Sequence, residues 1–454
     1  MMRVDRLLAR VGRRHALPSD SALLRLTSGA LLVSRSSATF CRVAPADVPG
    51  VERVLVGEAP LGALGRSLLH ELSRHGFFGP PRPAEPRSPT VQVQLTNACN
   101  LACAYCCTNS GRPRTFELDL EATTRVVREA RDLLGRGCPV ALLGGEPLLV
   151  PWAIELGRRA LHLGLRLTVF TNGTLLADPD VARRTAALIA EGAEVRVSLA
   201  GPTSESCDGA SQAKRFDAAL EGIRLLAGHG ARVTIDLMLL PANVAATAER
   251  LPSLRRRLPE GTPVTLGLAY LSGRERGPGL FRSRAELEAA LDGVALEAGE
   301  RIPAERRGPL AFRRDGCGCA LGDHLSVRSD GAVFSCFKME EQVGDLAAGG
   351  LCAVLKTVRE DPHPVSTLPL CGDCPLASLC GGGCRSENLL FTGNADTPFC
   401  GPWRVRVLSE LLAEDRFGAV TWPVAHLCAE ARARGIDAPA GAVPLLPSRH
   451  VVDT

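Results

Sequence analysis

The stretch VQVQLTNACNLACAYCC, residues 91–107, joins an alternating apolar run to four cysteines. Its first five residues alternate apolar and polar side chains, which is typical of a β-strand. Cys99, Cys103 and Cys106 follow with the spacing C-x3-C-x2-C, and a further cysteine comes directly after them. A closed structural zinc site takes four ligands. A group of three therefore indicates either an incomplete metal site or one that is deliberately open.

The composition is that of a soluble globular protein. The chain has 454 residues, of which 45% are hydrophobic and 22% charged, so we expect about two to four domains. The net charge of +4 is too small to favour a nucleic acid as partner. The sequence has no apolar run of the roughly 18 residues that a membrane helix needs. The basic N-terminus lacks the apolar core of a signal peptide, so we expect a cytoplasmic protein.

The 17 cysteines are grouped rather than scattered. One group lies within residues 99–107, and most of the others lie within residues 317–400. In a long chain without a signal peptide, such richness favours metal or redox chemistry over disulfides. The sequence therefore predicts two regions with metal centres.

Between residues 87 and 300, candidate strands alternate with amphipathic helical patterns. The strands are predicted at 91–95, 139–143, 165–171, 194–200, 232–239 and 264–271. Helical patterns such as 120–137 and 216–230 end on glycine, as helices often do. Strand–helix repetition predicts a parallel sheet. Because the repeats are fewer than a closed eight-stranded barrel needs, we expect an α/β fold with an open, partial (β/α)6 barrel and its chemistry at the carboxyl ends of the strands.

The chain is predicted to have five segments. They are a small α+β N-terminal module (1–80), a proline-rich linker (81–90), the partial barrel (91–305), a cysteine-rich C-terminal domain (306–405) and a helix with a tail (406–454). Within the module, residues 23–43 indicate short paired strands and residues 61–76 a helix. The module is either winged-helix-like, capturing a peptide by strand addition, or a packing extension of the barrel.

The motif Cys99-x3-Cys103-Ala-Tyr105-Cys106 resembles the signature of the radical S-adenosylmethionine (radical SAM) superfamily. The resemblance implies that the three catalytic thiolates hold a [4Fe–4S] cluster whose open iron chelates the methionine end of SAM. It also implies reductive cleavage of SAM to a 5′-deoxyadenosyl radical. Tyr105, one of only two tyrosines in the chain, falls at the aromatic position that the family places near the adenine. Cys107 is interpreted as a bystander thiol.

Two further strand ends resemble motifs of this family. LLGGEP (142–147) is similar to the family's GGEP motif, which implies that Gly144, Gly145, Glu146 and Pro147 surround the methionyl ammonium. TNGT (171–174), with Asn172, is similar to the turn after the family's third strand. Each motif alone would also fit an ordinary tight turn.

The fourth strand ends in VSLAGP. The resemblance implies that Ser198 contacts the ribose or carboxylate of SAM. Ala200 stands where many relatives have Asp, so a contact made by that Asp is not expected here. Arg215, just before a helix, is either a partner of the SAM carboxylate or a solvated charge at a helix start.

Residues 371–384 have the spacing C-x2-C-x5-C-x3-C, which also suits a zinc knuckle. Together with the cysteines before and after it, the order resembles the SPASM extension of radical SAM enzymes, which carries two auxiliary Fe–S clusters. The resemblance implies that the first auxiliary cluster is held by Cys319, Cys336 and Cys384, with Cys317 as its fourth ligand or free. It implies for the second cluster the ligands Cys371, Cys374, Cys380 and Cys400.

The glycines 381–383 suit a loop folded around a cluster. A phosphate-binding loop is the competing interpretation, but the lysine and helix that should follow it are missing. The remaining cysteines are expected to be small buried apolar residues; they are Cys41, Cys138, Cys207, Cys352 and Cys428.

These resemblances imply an enzyme that removes hydrogen from a ribosomally made precursor peptide and installs a carbon–carbon or thioether crosslink. The N-terminal module would bind the leader, and ferredoxin or flavodoxin would supply single electrons. Epimerisation remains an alternative bond change. Formylglycine formation in sulfatases is another, but relatives of that type carry Asp after the cysteine that corresponds to Cys336, and this chain has Phe337. A non-catalytic Fe–S electron carrier or a zinc scaffold is the alternative from another class.

Overall fold

The structure is a computed structural model. It describes residues 16–26, 29–34, 39–79, 90–268, 274, 281, 324–360, 365–372, 374, 376–400 and 451–452. The chain divides into two compact units. One consists of Met1–Pro86, Glu300–Gly318 and His363–Thr454, and the other of Arg87–Gly299 and Cys319–Pro362.

The first unit begins with a three-stranded antiparallel sheet and two helices. These elements are β1 (Ser21–Leu26), β2 (Gly29–Ser34), β3 (Thr39–Val43), α1 (Val48–Leu55) and α2 (Arg66–Arg74). Leu23, Leu32 and Val43 from the strands pack with Leu72 of α2 in one buried cluster. The paired strands and the helix predicted from the sequence are confirmed, and the peptide-capturing role of this module stays a prediction.

The second unit is built on parallel strands separated by helices. Its strands are β4 (Thr90–Gln94), β5 (Pro139–Leu143), β6 (Arg166–Thr171), β7 (Glu194–Leu199), β8 (Thr234–Leu239) and β9 (Val264–Leu268). They lie side by side in chain order, and each neighbouring pair is parallel. The six predicted strands and their parallel arrangement are confirmed.

The helices that alternate with these strands cover one face of the sheet. They are α3 (Leu120–Leu134), α4 (Ala153–His162), α5 (Pro179–Ala190), α6 (Ser204–Ser211), α7 (Phe216–Gly228) and α8 (Val244–Arg257). Local signals set their ends: the Asp119 side chain accepts a hydrogen bond from Ala122 N at 2.7 Å before α3, and Gly135 ends α3 with φ +89°. Such caps satisfy backbone groups that the helix leaves unpaired.

The side chains of strand β7 point alternately into the hydrophobic core and into a cavity on the other face of the sheet. Val195, Val197 and Leu199 are fully buried within the hydrophobic core cluster. The residues between them, Arg196 and Ser198, line a cavity instead. Because side chains alternate along a strand, one face builds the core and the other is available for function.

A second group of strands extends this sheet beyond β4. It comprises β10 (His324–Val327), β11 (Ala332–Phe334) and β12 (Gln342–Asp345), followed by α9 (Gly350–Glu360). Strand β10 is parallel to β4, and β11 and β12 continue antiparallel. These short strands were not predicted from the sequence.

The described C-terminal part of the first unit contains α10 (Ala377–Cys380), α11 (Arg385–Thr392) and β13 (Val451–Val452). Strand β13 pairs in parallel with β1. The helix predicted after Cys400 and most of the predicted linker lie outside the described residues, and the five predicted segment boundaries stay a prediction. Among the described residues, no helix is both long and apolar enough to cross a membrane.

Candidate active site

The cysteine loop starts where β4 ends and is closed at its base. Cys99 N donates to Gly111 O at 3.0 Å, and Gly111 N donates to Asn97 O at 2.9 Å. Cys99, Cys103 and Cys106 all line one cavity of about 510 Å³. The structure thus brings the three predicted ligands to one side of a single loop.

The thiols of this loop are partly buried. Burial is the main cause that raises the pKa of Cys99 to about 11, and the charges of Glu146 and the neighbouring thiols add to it. The Cys106 sulfur accepts a hydrogen bond from Ser110 N at 3.3 Å and lies 3.5 Å from Thr108 Oγ1. A bound cation would reverse the pKa shift, because it favours the thiolate.

Glu117 holds the base of the loop and was not identified from the sequence. Its carboxylate accepts hydrogen bonds from Thr96 Oγ1 (2.7 Å), Asn97 N (2.6 Å), Arg114 N (3.1 Å) and Ser329 Oγ (3.1 Å). Burial alone would raise the pKa of Glu117, but these hydrogen bonds lower it. Its single carboxylate therefore ties the turn after β10 to the start of the cysteine loop.

The two glycines after β5 touch the backbone of the cysteine loop. Gly145 N donates to Thr96 O at 2.7 Å. A Cβ atom on Gly145 would lie 2.1 Å from Ala98 O, and one on Gly144 would lie 2.9 Å from Thr96 O. Since real Cβ atoms do not come this close, only glycine fits at Gly145, and both glycines line the cavity.

Glu146 is fully buried behind these glycines. Its carboxylate accepts from Thr171 Oγ1 at 2.7 Å, Asn172 N at 2.8 Å and Leu148 N at 3.0 Å. Burial raises its pKa despite these hydrogen bonds. In this structure the carboxylate joins the ends of β5 and β6, so its predicted contact with the methionyl ammonium remains a prediction. The buried Pro147 begins the short 3-10 turn that follows.

Asn172 connects the end of β6 to the cysteine loop. Its Nδ2 donates to Asn100 Oδ1 at 2.8 Å, and its Oδ1 accepts from Thr174 N at 2.9 Å. Asn100 also donates to Thr174 Oγ1 at 2.8 Å. The only sequence signal for Asn100 is its place directly after Cys99.

Arg215 lies against the inner face of β7. It is only 2% exposed, so the interpretation as a solvated helix-start charge is wrong. Its guanidinium donates to Ser198 O, and its buried Nε has no hydrogen-bond partner among the described residues. Burial alone would lower its pKa, but Tyr105 and the thiols of Cys207 and Cys103 raise it. Such a cation is suited to an anionic group in the cavity.

Tyr105 and Ser198 line the same cavity as the three thiols. Burial, followed by the neighbouring Cys103, raises the pKa of Tyr105. The backbone beside it is fixed, because Ala104 N donates to Ala210 O at 3.2 Å.

A further polar group lines the cavity and was missed in the sequence. Arg196 Nε donates to Asp236 Oδ2 at 2.9 Å, and Arg196 Nη2 donates to Thr265 Oγ1 at 3.1 Å. The guanidinium carbon lies 5.5 Å from the centre of the Phe170 ring. These residues come from four neighbouring strands, so no short motif in the sequence could have joined them.

Cys380 lies among cysteines of the second group. Burial raises its pKa to about 11, and the charges of Cys374 and Cys400 add to the shift. Asn388 fixes this region: its Nδ2 donates to Gly382 O at 3.1 Å, and its Oδ1 accepts from Phe399 N at 2.8 Å.

The loop that follows Cys380 has an unusual backbone. Gly381, Gly382 and Gly383 have φ values of +65°, +76° and +79°, a conformation that glycine adopts at little cost. Cys371 is buried and Cys384 is half-buried. Cys317 and Cys319 lie outside the described residues. Among the described side chains, no three Cys, His, Asp or Glu are placed to hold a single metal ion.

The comparisons with known proteins agree with this site. A profile of the radical SAM superfamily matches residues 93–250. The mycofactocin maturase MftC of Mycobacterium tuberculosis (strain CDC 1551 / Oshkosh) is 31% identical over 335 residues, which are 68% of this chain and 80% of the relative. The chain belongs to the radical SAM superfamily. The family prediction and the prediction of an enzyme are confirmed.

Solved structures share the fold of this radical SAM enzyme. One is described as native anSMEcpe with bound AdoMet and Cp18Cys peptide, with a TM-score of 0.54, 16% identity and coverage of 73% of this chain and 98% of that chain. Another is SuiB of Streptococcus suis bound to precursor peptide SuiA, with a TM-score of 0.51, 13% identity and coverage of 85% and 98%. The predicted fold class is thereby confirmed.

The residues of this radical SAM enzyme fit the [4Fe–4S] cluster and the SAM molecule that its family uses. Three thiols line one cavity, which leaves a fourth ligand position for another group. The backbone of Gly144 and Gly145 borders the same cavity. The Nε of Arg215, which has no hydrogen-bond partner in the part of the chain that the structure describes, suits a carboxylate.

The other cysteines of this radical SAM enzyme differ in exposure. Cys41, Cys138 and Cys207 are buried as expected, whereas Cys352 is exposed, so the prediction of a buried residue is wrong there. Cys352 lies in the first turn of α9, on the side away from the core. Cys428 lies outside the described residues. Cys107 lines the cavity beside the three predicted ligands, and burial, followed by the charge of Cys106, raises its pKa to about 12.

Proposed function

We propose that this enzyme is a peptide maturase that removes a hydrogen atom from a ribosomally made precursor peptide and installs a carbon–carbon or thioether crosslink. The observation that carries the proposal is the three-thiol loop on a cavity that also holds the buried Arg215, whose Nε has no partner among the residues described. Relatives named for peptide maturation support it: MftC is a mycofactocin maturase, and SuiB was solved with a precursor peptide.

In this proposal, Cys99, Cys103 and Cys106 hold the cluster. When bound, the cluster supplies the single electron that cleaves SAM to the 5′-deoxyadenosyl radical. The main chain at Gly144 and Gly145 forms the wall against which the methionine end lies, and Arg215 attracts its carboxylate. Ser198 and Tyr105 border the ribose and adenine. Each of these residues lines the same cavity.

The rest of the cavity favours radical chemistry because it is largely apolar. Leu101, Phe170, Met238 and Leu266 are among its lining residues. Side chains of this kind keep water from a reactive intermediate.

The auxiliary cysteines would hold two further [4Fe–4S] clusters. Cys319, Cys336 and Cys384 form the proposed first set, with Cys317 as its fourth ligand or free. The proposed second set is Cys371, Cys374, Cys380 and Cys400. These clusters would accept the electron that a substrate radical must lose when a new bond forms. The mutual proximity of Cys374, Cys380 and Cys400 supports the second set.

We further propose that the N-terminal module binds the leader of the precursor peptide by strand addition to its small sheet. An external one-electron reductant such as ferredoxin or flavodoxin would supply the electrons. A cytoplasmic location would keep the clusters away from oxidising conditions.

One observation argues against sulfatase maturation as the alternative. The residue after Cys336 is Phe337, whose ring borders the cavity together with Lys338. Phe337 N is fixed by a 3.2 Å hydrogen bond to Gln92 Oε1. A proton-accepting Asp at this position is therefore replaced by an apolar ring and a cation.

The test compares anaerobically purified wild-type protein with the triple variant C99A/C103A/C106A and with C138A, which removes a buried thiol outside the loop. Wild type and C138A should release 5′-deoxyadenosine from SAM and contain about twelve irons per chain. The triple variant should release none and contain about eight irons. SAM cleavage by the triple variant would refute the site, and about four irons with zinc in the wild type would refute the auxiliary clusters.

A further inference from the structure

A single arginine, Arg274, donates several hydrogen bonds to the cysteine loop. Arg274 Nη1 donates to Cys103 O at 2.6 Å, Nη2 donates to Ser110 O, and Nε donates to Asn109 Oδ1 at 3.3 Å. Its backbone N donates to Cys106 O at 3.0 Å. Arg274 thus contacts both arms of the segment that carries the second and third thiols.

Glu117 fixes the base of the loop, whereas Arg274 contacts the turn that carries Cys106. The turn that carries Cys106 is closed by Cys106 N to Cys103 O and by Asn109 N to Cys106 O, both at 3.2 Å. Asn109 itself has φ +49°, in the left-handed region, which costs energy for a residue with a side chain. The rigid fork of a guanidinium can satisfy several acceptors at once, so Arg274 offsets this cost.

The charge of Arg274 has a second consequence. All of its hydrogen-bond acceptors within the described chain are carbonyl or amide oxygens. Its positive charge is therefore not neutralised there by a carboxylate, and it lies against the backbone of two proposed cluster ligands. Nearby positive charge favours the more negative, reduced state of an Fe–S cluster, whose potential depends on net charge and hydrogen bonding.

We propose that Arg274 is a positioning residue that clamps the Cys103–Ser110 segment around the [4Fe–4S] cluster and favours the reduced form of that cluster. The proposal rests on the assignment of Cys99, Cys103 and Cys106 as its ligands. It assigns two separable effects to one side chain: geometry, through several hydrogen bonds, and potential, through charge.

The test uses three variants of the full-length holoenzyme. R274Q removes the charge and most of the hydrogen bonds. R274K keeps the charge but cannot reach all of the acceptors. R112Q removes an exposed arginine from the same loop and is the control. Two quantities are measured on the SAM-sensitive EPR signal, which only the cluster with the open iron gives: its midpoint potential and its rate of loss to an iron chelator.

R274Q should lose the signal several-fold faster than R112Q. At a fixed solution potential its reduced-to-oxidised ratio should fall about tenfold, which is about 59 mV for a one-electron couple. R274K should lose the signal faster while its potential stays near that of wild type. If R274Q is insoluble, the geometric role of Arg274 is tested by comparing the rate of signal loss in R274K with that in R112Q.

Equal potentials and equal loss rates in all three variants would overturn the proposal while leaving the cluster assignment intact. A SAM-sensitive signal that is absent from wild type, as it should be from C99A/C103A/C106A, would instead refute the cluster assignment. The two failures are therefore distinguishable.

Discussion

Gly145 and Ala98 approach so closely that a Cβ atom on Gly145 would lie 2.1 Å from the Ala98 carbonyl oxygen. This contact brings the end of β5 against the cysteine loop, and it leaves no room for a methyl group. We expect G145A to separate the two segments. Overpacking of this kind costs about 1–3 kcal/mol. Because this cost falls on the arrangement that lines the cavity, 5′-deoxyadenosine release should fall by about five- to 150-fold, since 1.4 kcal/mol corresponds to a factor of about ten.

Gly209 provides the matched control for this substitution. It lies inside α6, and a Cβ atom there would meet nothing within 4 Å. G209A should keep wild-type activity and gain slightly in thermal unfolding midpoint, because Ala favours a helix over Gly by about 1 kcal/mol. Wild-type SAM cleavage by G145A would contradict the role given to this contact.

The pH dependence of stability should report on Glu117. Its pKa is lowered in the folded state, so its stabilising effect is complete above the ordinary value of 4.5 and is lost as the pH falls through the lowered pKa. We expect E117Q to be less stable than wild type near pH 7. When the pH falls below 4.5, the stability of E117Q should decrease less than that of wild type. Thermal unfolding midpoints between pH 7 and pH 3.5 measure this difference.

Glu249 serves as the comparison, because its side chain is 67% exposed and pairs with the neighbouring Arg250. E249Q should unfold like wild type at every pH, since exposed pairs contribute little. Parallel acid profiles for E117Q and wild type would show that the four hydrogen bonds to Glu117 do not anchor the loop.

Much of this fold could be predicted from the sequence because its signals are local. The alternation at residues 91–95 and the glycine at the end of α3 act through neighbouring residues, and all six barrel strands were placed correctly within a few residues. The cysteine spacing likewise identified the loop that lines the cavity, since three thiols within eight residues must share it.

The contacts that complete the site could not be predicted in this way. Arg196, Asp236 and Thr265 meet only because three strands lie side by side, and Arg274 reaches Cys103 across 171 residues of chain. For Arg215 the sequence left two alternatives open, because a charge at a helix start is usually solvated; the packing of α7 on the sheet buries it and removes the solvated one.

Arg215 should bind the carboxylate of SAM, because its Nε is buried without a partner among the described residues. Replacing it by Met keeps an apolar side chain of similar length and removes the guanidinium. Hydrogen bonds to charged groups contribute about 1.5–3 kcal/mol, so the Kd for SAM of R215M should rise by about ten- to a hundredfold. Equilibrium dialysis under anaerobic conditions measures it.

Arg224 is the control on α7, the helix that Arg215 directly precedes, and its side chain is 50% exposed. R224M should bind SAM like wild type. An R215M protein with unchanged SAM affinity but a lower unfolding midpoint would mean that Arg215 only fastens α7 to Ser198.

Asn388 gives a test of the second cysteine group that leaves the barrel untouched. Its side chain bonds both Gly382 O, two residues after Cys380, and Phe399 N, next to Cys400, so it holds the loops of two proposed ligands of one cluster. We expect N388A to lose about four of about twelve irons during anaerobic gel filtration and to retain the SAM-sensitive EPR signal. 5′-Deoxyadenosine release should persist, whereas peptide crosslinking should fall sharply, because the substrate radical loses its electron acceptor.

S366A changes an exposed residue of the same unit and should keep all of its iron. If N388A also keeps its full iron content, the pairing of Cys380 and Cys400 in one cluster must be abandoned.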